Sequence, residues 1–235
     1  MLLNYFAANL DAWDPKITDG FASDREVILL DGAGIGRSGG KTPSTVVAMA
    51  EGCYQFCQAL GLQSIDIVGF SLGGMIAQQL AFDYLDLVRR MILLSTGPRG
   101  GEGMTFTELS TEDLADPAKL LKSAFFTPSE ASQAAAEACL ARLSLRAAEL
   151  DTPVSMQAAG AHLNAIRDWG LIRLAAIFSK RSASRSKYSA VSNRPCQMTG
   201  LPARSAYSRY QSASSRSLRG SSMALSLVVS VCAAT

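Results

Sequence analysis

The chain is short of histidine, of cysteine and of long apolar runs, and its last stretch carries no acidic residue at all. Among 235 residues there is one histidine, His162, and there are five cysteines. A single imidazole excludes metal centres built from several histidines. The odd count and irregular spacing of Cys53, Cys57, Cys139, Cys196 and Cys232 argue against a disulfide framework. Cys53 and Cys57 lie one helical turn apart, the spacing of a metal pair. With no histidine near them in sequence they are expected as buried helix-face thiols. The longest apolar stretch, Met223 to Ala234, is too short to span a bilayer and contains serines. Met1-Leu2-Leu3 runs into Asn4 with neither the basic start nor the apolar core of a secretory signal. A soluble cytoplasmic protein without membrane contact is the expectation.

Acidic residues are unevenly placed. All 20 lie in residues 1–168, beside 12 basic ones, whereas residues 169–235 hold 10 basic residues and 16 serines. The two parts are therefore read separately. Residues 171–235 are expected to be a disordered, solvated basic tail with no sheet strand. Ser184-Arg185-Ser186 and Ser215-Arg216-Ser217 faintly resemble Arg-Ser repeats, which bind phosphate backbones electrostatically. The repeats are irregular and tyrosines are sparse, so a tail without a nucleic-acid partner is the expectation.

What is present organises around Val68-Gly69-Phe70-Ser71-Leu72-Gly73-Gly74. An apolar run, Ile65 to Val68, precedes it and an apolar-periodic segment, Met75 to Leu80, follows, so the order is strand, sharp turn, helix. Gly-x-Ser-x-Gly in that setting is a nucleophile elbow. The serine sits on a strained turn, and small neighbours let strand and helix backbones approach closely enough to hold it. Its hydroxyl then projects at the carboxyl end of the sheet, and the Leu72 N–H at the helix start points to the same place as an oxyanion donor.

The rest of the first hundred residues fits an open parallel sheet. Leu2-Leu3 reads as the end of a strand, Asn4 to Pro15 as loop and turn, and Glu26 to Leu30 as a buried strand. Asp31-Gly32-Ala33-Gly34-Ile35-Gly36-Arg37-Ser38 is a Gly-rich loop. A dinucleotide fingerprint needs a helix directly after it, and Ser38-Gly39-Gly40 extends the loop instead. Thr42-Pro43 reads as a helix start, with the helix running to about Leu62 and Val46, Val47, Met49, Ala50, Cys53, Phe56 and Leu60 facing inward. Val88 to Leu94 is the next strand, ended by Ser95-Thr96-Gly97-Pro98. Strand and helix alternate, so the fold class is α/β, a mostly parallel sheet flanked by helices. Ligands in such sheets bind at the carboxyl ends of the strands. Three regions follow: a core over 1–102, a helical cap over 103–170 and the tail over 171–235. Cap helices are expected over Thr111–Phe125, Pro128–Leu145 and Ser155–Trp169, with Phe125, Phe126 and Met156 either lining the substrate side or packing the cap onto the core.

With these motifs in order, residues 1–170 resemble the α/β-hydrolase superfamily, and most of all its cap-bearing, cofactor-free serine hydrolases, the group of esterases, perhydrolases and C–C bond hydrolases. The resemblance implies a partial α/β-hydrolase fold. It implies Ser71 as nucleophile, a small ester or related acyl compound as substrate, and no cofactor or metal. Asn4-Tyr5-Phe6-Ala7 stands where the family carries His-Gly and then an oxyanion residue, which makes the Ala7 N–H the second oxyanion donor beside that of Leu72. Tyr5 and Phe6 depart from His-Gly. A serine at the elbow, not an aspartate, argues against haloalkane dehalogenation.

The family's mechanism uses serine, then an acid, then histidine, in that chain order. Here the one histidine lies inside the expected cap, as a surface or packing imidazole or as a base, and no carboxylate follows Asp168. Glu102 is the available substitute acid. A shift of reading frame near residues 172–195 would account for the tail: if the Ser222 codon ends in C, the shifted readings around Met198 and Met223 give an acid and then a histidine about 25 codons apart. The family usually has two strands before the one at Leu2-Leu3, so a four-strand remnant with exposed edges and poor solubility is expected. Three functions compete: a serine hydrolase, an inactive member of the family lacking the charge relay, and a nucleic-acid binder acting through the tail. Oligomeric state is not legible in the sequence.

Overall fold

The computed structural model describes residues 1–101, 116–171 and 230–233. All described residues belong to one compact unit. Glu102, the start of the helix expected at Thr111, both Arg-Ser repeats and the proposed frame shift lie outside the described residues.

Among the described residues the sheet has five strands: β1 (Leu2–Leu3), β2 (Leu29–Leu30), β3 (Ile65–Phe70), β4 (Val88–Leu94) and β5 (Ser230–Ala233), in the order β2-β1-β3-β4-β5. The first four are parallel, with Leu2 opposite both Leu29 and Val68, and Gly69 opposite Leu93. The strand expected over Glu26–Leu30 forms ladder only at its last two residues, because its partner β1 offers only Leu2 and Leu3 for pairing. β5 corrects the expectation of a tail without a sheet strand: it runs antiparallel along β4, with Met91 opposite Cys232. The β-branched residues around it, Val228, Val229 and Val231, favour a strand whatever the composition of the preceding residues.

Both faces of the sheet are covered, as a parallel sheet requires. Alternation sends Leu3, Ile65 and Ile67 to one face, against Ala50, Cys53 and Cys57 of α2 (Val46–Ala59) and Ala77 and Leu80 of α3 (Leu72–Asp83). Leu2 and Val68 go to the other face with Trp13, Phe70 and Leu94. Helix α2 starts later than Thr42-Pro43 suggests. Its N-cap is Thr45, whose hydroxyl accepts from the Ala48 N–H at 3.2 Å, while Thr42 is buried in the loop. The buried stripe is Val46, Ala50, Cys53 and Cys57, so Val47 (41% exposed) and Leu60 (54%) face outward, contrary to the inward set read from sequence. Cys53 and Cys57 are buried thiols, and among the described residues no group of side chains could hold a metal ion.

The Asn4–Pro15 stretch contains a 3-10 turn, Leu10–Ala12, and then gives way to helix α1, Pro15–Ala22, capped by the Asp14 carboxylate through the Lys16 N–H at 2.9 Å. Between β4 and β5 the described elements are helical: α4 (Pro117–Phe125), α5 (Glu130–Leu143), a 3-10 segment (Ser144–Glu149) and α6 (Met156–Gly170). Helix α6 packs Ala159, Ala165, Ile166 and Trp169 against Phe6, Val46, Leu72 and Met75. Its C-terminal end is tied to the loop after β4, where Trp169 Nε1 donates to the Gly97 carbonyl at 3.1 Å and the Gly100 N–H donates to the Trp169 carbonyl at 2.9 Å. Among the described residues no helix is long and apolar enough to cross a membrane.

Candidate active site

Strand order reverses between β1 and β3. The chain leaves β1 toward β2 on one side, then returns past β1 to place β3 and β4 on the other. Loops at the carboxyl ends of these two central strands therefore diverge and leave a crevice, the usual ligand position in an open α/β sheet. Ser71 follows β3 directly and Ala7 stands four residues past β1, so the sheet brings two sequence-selected residues to one crevice.

Among the described residues three other than glycine have left-handed backbone, Ala7 (φ 53°), Ser71 (φ 51°) and Ser95 (φ 45°), and they follow β1, β3 and β4, adjacent strands of the sheet. Each such conformation costs on the order of 1 kcal/mol or more and persists only where the surroundings impose it. At Ser71 the surroundings are explicit. Its N–H donates to the Leu94 carbonyl at 2.9 Å, and its carbonyl accepts from Gly74 N–H at 2.9 Å and from Thr96 Oγ1 at 2.7 Å. A Cβ at Gly69 would stand 2.6 Å from the Gly73 carbonyl oxygen, one at Gly74 would stand 2.5 Å from the Thr96 methyl, and one at Gly73 would overlap the Leu3 carbonyl. Strand, helix and the chain after β1 thus touch backbone to backbone around the serine.

Ser71 is the N-cap of α3, yet its hydroxyl makes no capping bond and has no hydrogen-bond partner among the described residues. The neighbouring Leu72 N–H is a first-turn amide, which an α-helix leaves without an internal acceptor. The other selected amide is engaged: Ala7 N–H donates to Nδ1 of His162 at 3.2 Å. His162 is 7% exposed, on α6, and its ring meets Phe6 edge to face at 6.3 Å. Burial lowers its pKa to about 4, so the ring is neutral and Nδ1 is free to accept. The contact joins residues 155 positions apart. A signal for burial was present in the sequence, since His162 sits in the stripe Ala158, Ala159, His162, Ala165, Ile166, Trp169; nothing local indicated Ala7 as its partner.

One side of the crevice is aromatic. Phe70, adjacent to Ser71, lies 5.0 Å from Tyr5 and 5.2 Å from Phe125, and Tyr5 lies 5.5 Å from Phe125. Burial above all, with the Cys139 thiol adding to it, pushes the Tyr5 phenol up to about 12, so it stays neutral. Phe125 therefore packs α4 onto the residues beside Ser71, whereas Met156 is 61% exposed and belongs to neither of its expected roles there. Asn4 Nδ2 donates to Asp31 Oδ1 at 3.4 Å, while Asn4 Oδ1 and Asp31 Oδ2 are buried with no hydrogen-bond partner among the described residues. A groove of about 640 Å³ lies elsewhere, between the Gly34–Ser44 loop and the start of α6, and Ser71 is not among its lining residues.

Known proteins resemble parts of this chain. An "alpha/beta hydrolase fold protein" from Chitinophaga pinensis is 38% identical with a TM-score of 0.69, over 73% of this chain and 63% of its own. A "putative carbamate hydrolase RutD" from Rhizobium rhizogenes is 33% identical over 85 residues, 35% of this chain and 32% of the relative. A 2-hydroxy-6-oxononadienedioate/2-hydroxy-6-oxononatrienedioate hydrolase from Pseudomonas is 32% identical over 104 residues, 44% of this chain and 35% of the relative. The chain thus spans about a third of the length of the curated relatives it matches. The family model described as "alpha/beta hydrolase fold" matches residues 2–149, which take in β1 to β4, the glycine-braced turn at Ser71 and helices α4 and α5. On that match, and on a four-strand parallel sheet flanked by helices, the chain belongs to the α/β-hydrolase superfamily.

Proposed function

We propose that the chain is a serine hydrolase acting on a small ester or related acyl compound through Ser71. The observation that carries this reading is the left-handed Ser71 at the tip of β3, whose hydroxyl neither caps its own helix nor bonds to a described neighbour. The relatives named as hydrolases support the reaction type. In the proposed reaction Ser71 Oγ adds to the carbonyl carbon and loses its proton to water. The carbonyl oxygen takes the electron pair and is held by the N–H groups of Leu72 and Ala7. Collapse of the adduct expels the alkoxide, which takes a proton from water, and a second water hydrolyses the acyl-serine. Tyr5, Phe70 and Phe125 suit an uncharged substrate with an apolar acyl or alkyl group.

A second reading is favoured by a specific observation. Among the described residues no imidazole or carboxylate hydrogen-bonds Ser71, and the one histidine is committed to Ala7. A serine without a base is a weak nucleophile at neutral pH. The chain would then be a family member that binds acyl compounds without turning them over. A fluorophosphonate probe separates the two. It labels serine as Oγ attacks phosphorus, fluoride leaves and the proton goes to solvent. Labelling of the intact chain that disappears in Ser71→Ala supports the hydrolase; a chain that resists the probe at millimolar concentration supports the second reading.

A further inference from the structure

An amide N–H has one proton to give. That of Ala7 goes to His162 Nδ1 at ordinary hydrogen-bond length, between a buried imidazole and a half-buried amide. If Ser71 is the nucleophile, as proposed above, this same proton is the one a developing oxyanion needs, and it is already spoken for. The identity of the acceptor matters. His162 lies on α6, in the helical segment after β4, whereas Ala7 lies on the loop after β1, so the bond ties the helical segment directly to the crevice.

We propose that His162 is a displaceable plug of the oxyanion hole, holding the Ala7 N–H until the oxygen of a bound acyl group takes its place. The geometry distinguishes this role from that of a general base. A base must face the proton of the serine hydroxyl, on the opposite side of the reacting carbon from the oxyanion donors. His162 instead sits on a donor itself and makes no hydrogen bond to Ser71. Burial lowers the pKa of the ring to about 4, which favours the neutral form, and Nδ1 accepts the Ala7 proton, as a plug requires. An acyl compound that enters must either displace the imidazole or make do with the Leu72 N–H alone. His162 is thus a specificity-determining residue: the substrate carbonyl competes with an imidazole, and only acyl groups that accept strongly open the hole.

The test uses the full chain, uniformly labelled with nitrogen-15. Wild type is expected to show a scalar coupling across the hydrogen bond between the Ala7 amide nitrogen and His162 Nδ1. The coupling is expected to vanish once Ser71 carries the phosphonyl group, whose oxygen occupies the hole; no variant is needed for this. His162→Leu frees the amide and is expected to label about 10-fold faster, below the 100- to 1000-fold that an oxyanion donor can be worth. His162→Gln supplies a replacement acceptor and is expected to label near the wild-type rate. Circular dichroism checks that both fold. A wild type without the coupling, a coupling that survives labelling, or a folded His162→Leu that labels no faster than wild type overturns the plug while leaving Ser71 as nucleophile. Failure of every protein to label overturns the hydrolase reading and the plug together, and labelling confined to His162→Leu supports the plug alone, as what keeps the intact chain from reacting.

Discussion

The chain after β3 and the chain after β1 reach the same crevice by different means. Ser71 is held by its immediate neighbours: Gly69, Gly73 and Gly74 remove every Cβ that would separate strand from helix, and Thr96, just past β4, and Leu94, at its end, fix its carbonyl and amide. Asn4 to Ala7 is held by residues far away in sequence, Asn4 by Asp31, Tyr5 by Phe70 and Phe125, and Ala7 by His162. One turn is built by subtraction of side chains and the other by addition of side chains from β3, α4, α6 and the loop after β2. A turn of the first kind is rigid and locally encoded. A turn of the second kind depends on what the rest of the chain brings to it and is open to rearrangement.

The sharpest way to break this comparison is Gly73→Ala. Its Cβ would overlap the carbonyl of Leu3 and lie 2.8 Å from that of Asn4, both backbone atoms that cannot rotate away. Gly73 is where the two turns meet, so the added methyl must push β1 off α3. We expect a loss of about 3 kcal/mol, at the upper end for overpacking, read as a lowered midpoint in urea denaturation. An alanine variant within about 0.5 kcal/mol of wild type would mean that the two turns are not in backbone contact.

The same difference explains what the sequence made legible. The turn at Ser71, the strand Val88–Leu94 and the helices at 130–143 and 156–170 were read closely, because glycine spacing, β-branched runs and helical periodicity are local signals. Helix α1 is hard to see in the sequence: Asp14-Pro15 has the form of an N-cap followed by proline at the first helical position, but a proline after residues 4–14 equally fits the end of a loop. The start of α2 slipped by one Thr-containing step for a related reason, since Thr42 and Thr45 are both competent caps and only packing decides between them. β5 escaped because serine and arginine elsewhere in the tail dominated the composition. His162 as partner of Ala7 had no local signal at all, because a bond across 155 residues is decided by how α6 packs on α2 and α3.

Acid titration sharpens the comparison, because the loop after β1 is flanked by two groups that oppose one another. Burial first, then the Asp151 and Asp11 carboxylates, push Asp31 up to about 6, against the Leu10 N–H that favours its anion. The folded state then holds that proton more tightly than the unfolded chain, so stability falls as pH rises from about 4 to 6 and stays reduced above. His162 has the reverse sign. Its pKa is lowered to about 4 by burial, so stability falls as pH drops from 6.5 toward 4. In wild type the two slopes partly cancel. Asp31→Asn removes the first, and thermal melts across the pH range are expected to show a gain of about 1 kcal/mol at pH 8, discounted for partial exposure, and almost none at pH 4. An equal gain at both pH values would assign the effect to packing and not to charge.

The smallest expected effect comes from Arg142→Ala, and it is the one that isolates the long-range support. Arg142 on α5 grips the Asp14 carboxylate with two donors, Nε at 2.7 Å and Nη2 at 2.6 Å, across 128 residues, just where the chain after β1 enters α1. The Arg142 bond, foremost, and the Lys16 amide hold Asp14 down at about 2. A depressed carboxylate stabilises the fold above its unfolded value and loses that contribution as pH falls through about 4 toward 2. Alanine is therefore expected to leave the turn at Ser71 untouched, to raise the Asp14 pKa toward the ordinary carboxylate range, and to lower stability slightly at pH 7 and not at all at pH 2. Carboxyl carbon shifts followed by NMR during acid titration report the pKa directly. Because the arginine is partly exposed and Asp14 keeps its bond to Lys16, helix α1 should survive, so a change in fluorophosphonate labelling of Ser71 in this variant would reveal that α5 reaches the crevice through the loop it braces.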